Sequence, residues 1–103
     1  MHDGQMLFDS TLTWNKKEWK VDETLATLMN DNKIAECIVV AIWNNGSERI
    51  SEYFPNKIFD QLEESLRKKL SEKYCNGKNA NGDNYLKFIV EELKPFIDQN
   101  FST

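Results

Sequence analysis

The sequence predicts an α/β protein in which one buried parallel strand, over about residues 37–43, is covered by three helices, over about 22–31, 57–75 and 83–99. Cys37-Ile38-Val39-Val40-Ala41-Ile42-Trp43 is an unbroken apolar run rich in β-branched residues. A strand with one wet face alternates apolar and polar residues, whereas a strand covered on both faces does not. The flanking segments instead repeat their apolar residues at helical spacing, and clusters of Asn and Gly separate them. A helical reading of 37–43, as part of a small helical protein, fits the apolar count equally well; the Ile-Val-Val run favours the strand.

In chain order, His2-Asp3-Gly4-Gln5 reads as a turn, with Gly4 supplying an unusual backbone angle. Met6 to Trp19 reads as a long loop with Leu7, Phe8, Leu12, Trp14 and Trp19 as buried anchors. The first helix has Asp22 as N-cap, Glu23 in its first turn, and Val21, Leu25, Leu28 and Met29 on one face. Asn30-Asp31-Asn32 ends it, and Asn44-Asn45-Gly46-Ser47 ends the strand. The second helix presents Ile58, Phe59, Leu62, Leu66, Leu70 and Tyr74. The third starts at Asp83 or Asn84 and presents Tyr85, Phe88, Ile89, Leu93, Phe96 and Ile97. Pro95 falls inside it and bends or weakens it locally, because proline removes one helical hydrogen bond.

Composition bounds the function classes. At 103 residues the chain has room for one small domain, and 40% apolar with 29% charged residues is ordinary for a globular protein. Thirteen Lys and Arg against 17 Asp and Glu leave a net charge of −4. Basic residues never form a stripe, and Arg67-Lys68-Lys69 lies among acids, so no nucleic-acid partner is expected. No run approaches the about 20 apolar residues of a membrane span, so no membrane partner is expected either. No signal-peptide pattern is visible, which suits the cytoplasm and leaves secretion or a periplasmic location open for a longer protein. Cys37 and Cys75 belong to no CxxC motif or Cys/His cluster, so they read as reduced thiols and no metal or cofactor is expected.

One apolar strand cannot be covered by its own chain, since it needs a paired strand on each side and a helix layer on each face. The chain is therefore expected to be part of a larger layered domain.

Four segments, in order, resemble the bacterial putative-esterase family of α/β-hydrolases, which includes feruloyl esterases, enterochelin esterases and esterase D relatives. The first is Met1-His2-Asp3-Gly4-Gln5-Met6-Leu7-Phe8-Asp9, similar to the family's loop after an early central strand. The second is Trp19-Lys20-Val21-Asp22-Glu23-Thr24-Leu25, similar to its following helix start. The third runs from Ile38-Val39-Val40-Ala41-Ile42 through Gly46, Arg49-Ile50 and Glu52-Tyr53. The fourth, Tyr85 to Asp98, is similar to the helix before the nucleophile strand, Pro95 included. The resemblance covers nearly the whole chain and leaves 55–82 as a variable insertion. It implies a partial α/β-hydrolase three-layer fold, an incomplete domain cut at both edges, and a serine carboxylic-ester hydrolase acting on carbohydrate-linked or small acyl esters.

The catalytic set is missing from the sequence. None of Ser10, Ser47, Ser51, Ser65, Ser71 and Ser102 lies in G-x-S-x-G; Asn45-Gly46-Ser47-Glu48-Arg49 comes nearest and lacks the second Gly. The triad histidine should follow the serine, yet the one histidine is His2, which reads as a loop-shaping residue. What the resemblance leaves is an oxyanion donor: the backbone N–H of Gln5, with Gly4 allowing the turn. Trp14, Trp19, Trp43 and Tyr53 are candidates to line an acyl or sugar pocket, with core or loop anchoring as the alternative, and Arg49 is a further substrate-binding candidate. Asn44 and Asn45 follow the apolar run where open sheets bind ligands, with helix capping as the alternative. Asp83, Glu91 and Glu92 read as a cap and a solvated face, so paired-carboxylate glycosidase chemistry is not indicated. Two non-catalytic readings stand beside the esterase one: a remnant that self-associates or binds a partner through unpaired strand edges, and a small α-rich binding domain.

Overall fold

A computed structural model describes residues 1–102, and its regular structure is helical; no β-strand is present among the described residues. The chain divides into two compact units, one spanning Met1–Asn44 and the other beginning at Asn45.

The first unit contains helix α1, Val21–Asn30. Its N-cap is Lys20 in the left-handed region (φ 53°), and Asp22 and Glu23 both sit in the first turn, where carboxylates favour the positive end of the helix dipole. Asp22 is thus a first-turn residue and not the cap. Upstream, Gly4–Met6 forms a 3-10 turn. Leu7 and Thr13 are the buried side chains of the loop. The other expected anchors are exposed: Phe8, Leu12, Trp14 and Trp19 all face solvent, Trp14 at 86%.

The strand expected at 37–43 is absent. The segment is neither helix nor turn, and it runs beside residues 1–4 for only three backbone bonds. The Met1 nitrogen donates to the Val40 carbonyl (2.6 Å), Ile42 N–H to the Met1 carbonyl (2.9 Å) and Gly4 N–H to the Ile42 carbonyl (2.7 Å). Asp3 then turns left-handed (φ 52°) and the chain coils into the 3-10 turn, so no ladder can continue. Burial fails as well: Ile38 is 50% exposed and Trp43 67%. The α/β class and its parallel strand are therefore replaced by a helical arrangement with one extended segment.

The second unit holds α2 (Arg49–Tyr53), α3 (Asn56–Asp60), α4 (Glu64–Tyr74), α5 (Gly82–Phe88) and α6 (Lys94–Asn100). The single helix expected over 57–75 is two, broken at Gln61–Glu63, where Gln61 and Leu62 N–H bond back only three residues. The helix expected over 83–99 is present but interrupted. A π turn, Ile89–Leu93, joins α5 to α6, and Lys94 N–H reaches the Ile89 carbonyl five residues back. Pro95 explains it: proline lacks the N–H and its ring crowds the carbonyl four residues earlier, so the preceding turn widens.

Phe59, Cys75 and Ser51 are each 1% exposed and form the centre of this unit. Phe54 packs edge-on to Phe59, with ring centroids 5.5 Å apart. Two buried serines tie helices to the loop after α4: Ser51 Oγ donates to the Asn79 carbonyl (2.5 Å) and Ser71 Oγ to that of Lys78 (2.6 Å). Gly82 starts α5 against α2's exit, where a Cβ would stand 2.5 Å from the Phe54 carbonyl oxygen.

Candidate functional site

The turn at residues 2–6 brings several polar groups of the first unit together. Asp3, not Gly4, takes the left-handed backbone angle. Gly4 is required for a different reason: a Cβ there would lie 2.7 Å from the Ala41 carbonyl carbon and 2.9 Å from the Ile42 backbone. The expectation that Gly4 supplies an unusual angle is corrected to close approach of two backbones.

Two side chains of the turn hold Asn44. Asn44 N–H donates to Gln5 Oε1 (3.2 Å), and Asn44 Nδ2 donates to Asp3 Oδ1 (2.9 Å). Met6 N–H closes onto the Asp3 carbonyl (2.9 Å) and Leu7 N–H onto that of Gly4 (3.4 Å). Together with the Gly4 N–H bond to the Ile42 carbonyl, those bonds use every amide from Gly4 to Leu7 except one. Gln5 N–H has no acceptor among the described residues, although Gln5 is half-buried. The leading amides of a short helical turn lack internal partners, and leaving one unmet away from bulk water costs free energy.

The other candidates do not gather at this turn. Trp14 and Trp19 are exposed in the loop of the first unit. Arg49 and Tyr53 lie one turn apart on α2 in the second unit, with the guanidinium carbon 5.1 Å from the Tyr53 ring centroid. Tyr53 in turn packs against Tyr85 at 5.4 Å. That arrangement makes Arg49 and Tyr53 partners of each other. Asn45 Nδ2 donates to Glu52 Oε1 (3.3 Å). Ser47 lies exposed in the 3-10 turn Gly46–Glu48. Ser51 and Ser71 are committed to carbonyls and have no base beside them in those bonds.

Two features escaped sequence reasoning. Ser51 and Ser71 organise a core, and helical spacing gave no signal for them, since Ser47 and Glu48 precede Ser51 and Arg67 and Lys68 precede Ser71 by four and three residues. Glu18, Asp22 and Glu23 bring carboxylate oxygens within 4.8 Å of one another, the grouping among the described residues that could hold a cation. A hydrogen bond to the Asp22 carboxylate, which Glu23 can donate only while it holds its proton, pushes the Glu23 carboxyl up from its ordinary value. The spacing of Glu18 and Asp22 at a helix start was the available signal. An open depression of about 530 Å³ next to the extended segment is lined by Met29, Asn30, Ile34, Glu36 and Cys37, among others.

No family model matches the chain, and no curated protein or solved structure is detectably similar to it. No helix among the described residues is long and apolar enough to cross a membrane.

Proposed function

We propose that this chain carries the oxyanion-donor turn of a serine carboxylic-ester hydrolase, with the Gln5 N–H as one of the two donors. The observation that carries the reading is that unpaired amide of a half-buried residue, in a turn held from both ends. An ester carbonyl oxygen gains negative charge when a serine attacks it, and a fixed N–H without another acceptor stabilises that charge at no cost in rearrangement. The resemblance of the segments around it supplies the reaction class and the substrate class, carbohydrate-linked or small acyl esters. The nucleophile, triad acid and triad base are not among these residues, so the chain alone turns over no ester. No metal is needed for this chemistry.

The test has two steps. The DNA flanking the coding region is translated past Thr103; a G-x-S-x-G motif followed by Asp and His supports the reading, and unrelated sequence on both sides overturns it. In the longer protein, Gln5→Pro removes the donor and should lower kcat by about 10²–10³, whereas Gln5→Ala keeps the amide and most of the rate.

A second reading has its own observation. Trp14, Trp19 and Trp43 are 86%, 72% and 67% exposed, and large exposed apolar groups mark protein–protein surfaces. A non-catalytic binding module presents such groups without any catalytic set.

A further inference from the structure

Backbone groups along an extended segment point alternately to its two edges. In residues 37–43 one edge is used: the Val40 carbonyl, the Ile42 N–H and the Ile42 carbonyl all bond residues 1–4, and Asn44 N–H continues the series onto Gln5. The alternate residues Val39, Ala41 and Trp43 therefore present their N–H and C=O groups to the opposite edge. None of those groups has a hydrogen-bond partner among the described residues, although Val39 and Ala41 are half-buried. Unpaired donors and acceptors at strand spacing are a template for another strand.

We propose that this edge pairs, antiparallel, with the same edge of a second copy of the chain. An antiparallel pairing centred on Ala41 is self-complementary. Ala41 faces its counterpart and exchanges both bonds with it, while Val39 N–H and C=O meet the Trp43 groups of the second copy, and the reverse. Every unmet group of Val39, Ala41 and Trp43 is then used. The same register places an aliphatic β-branched side chain opposite an aromatic one twice over, a favourable cross-strand pair. No charged residue lies between Cys37 and Trp43, so the paired segments themselves set no like charges against each other although the chain carries −4 overall. The inference is independent of the oxyanion reading, since it uses the opposite edge of the segment and no catalytic group.

Sedimentation equilibrium of the 103-residue chain over a wide concentration range tests it. The mass should rise from 12.1 kDa toward twice that value with concentration. Ala41→Glu and Ala41→Lys, each checked for retained helicity by circular dichroism, should each weaken self-association at least tenfold, and an equimolar mixture should restore it as a heterodimer. Amide exchange on the unaltered chain is the second measurement: Val39, Ala41 and Trp43 amides should become protected as concentration rises. A monomer at every concentration overturns the proposal. So does a dimer that both charge variants leave intact and in which those three amides stay unprotected.

Discussion

The two units are held together by different means. In the first, the contacts that span the sequence are hydrogen bonds, most of them between backbones: residues 1–4 onto 40–42, Trp19 N–H onto the Met6 carbonyl and Val21 N–H onto that of Leu7, with the Asp3 and Gln5 side chains holding Asn44. Its large aromatic side chains stay outside, and its buried side chains are Leu7 and Thr13. The second is closed by side chains. Phe59 and Cys75 fill its centre, and Ser51 and Ser71 anchor the loop that lies over them. Hydrophobic burial is the main stabilising term in folding, so the second unit should be the more robust, and the first should depend on close backbone approach.

Substitutions can break that contrast, beginning with the largest effect. Phe59→Ala should cost the second unit about 3–5 kcal/mol in chemical denaturation, because it removes a ring that is 1% exposed. Gly4→Ala should cost the first unit about 1–3 kcal/mol, since the new Cβ meets the Ala41 and Ile42 backbone and not a side chain that could move aside. The Gly4 variant should also release the Ile42 amide to exchange. Ser51→Ala should cost about 0.5–1.5 kcal/mol, as the exposed Asn79 residue lets water replace the lost hydroxyl at its carbonyl. Trp14→Ser, on an 86% exposed residue, should change stability by less than about 0.5 kcal/mol.

The cysteines sharpen the comparison through pH. Burial, with a smaller push from the Glu48 carboxylate, raises the Cys75 thiol above its ordinary value, while Cys37 is exposed. A thiol raised in the folded state contributes stability that is fully present below its unfolded pKa and is lost as pH rises through the folded value. The second unit should therefore weaken in alkaline buffer. A thiol reagent at neutral pH should label Cys37 rapidly and Cys75 only when the second unit opens; equal labelling rates would contradict the buried position.

Elements defined by local spacing were legible. The apolar face of α1 and the ends marked by Asn30-Asp31-Asn32 needed no knowledge of the rest of the chain. Pro95 announced a local defect, and the π turn before it is that defect. The break between α3 and α4 was hidden, because Phe59, Leu62, Leu66 and Leu70 keep helical spacing across it. The extended segment was misread for a physical reason: Ile-Val-Val favours extended backbone, but a strand also requires a partner running alongside, and residues 1–4 leave after three bonds. At the candidate site, Gly4 and Gln5 were legible by position, while the close approach that requires Gly4 appears only in three dimensions.

Amide exchange followed by NMR on the intact chain shows whether the Gln5 N–H is free to act as an oxyanion donor. The Gln5 amide should exchange far faster than those of Gly4, Met6 and Ile42, each of which donates to a backbone carbonyl. A Gln5 amide protected as strongly as Gly4 would show that this donor is already taken, and the oxyanion role would fall with it.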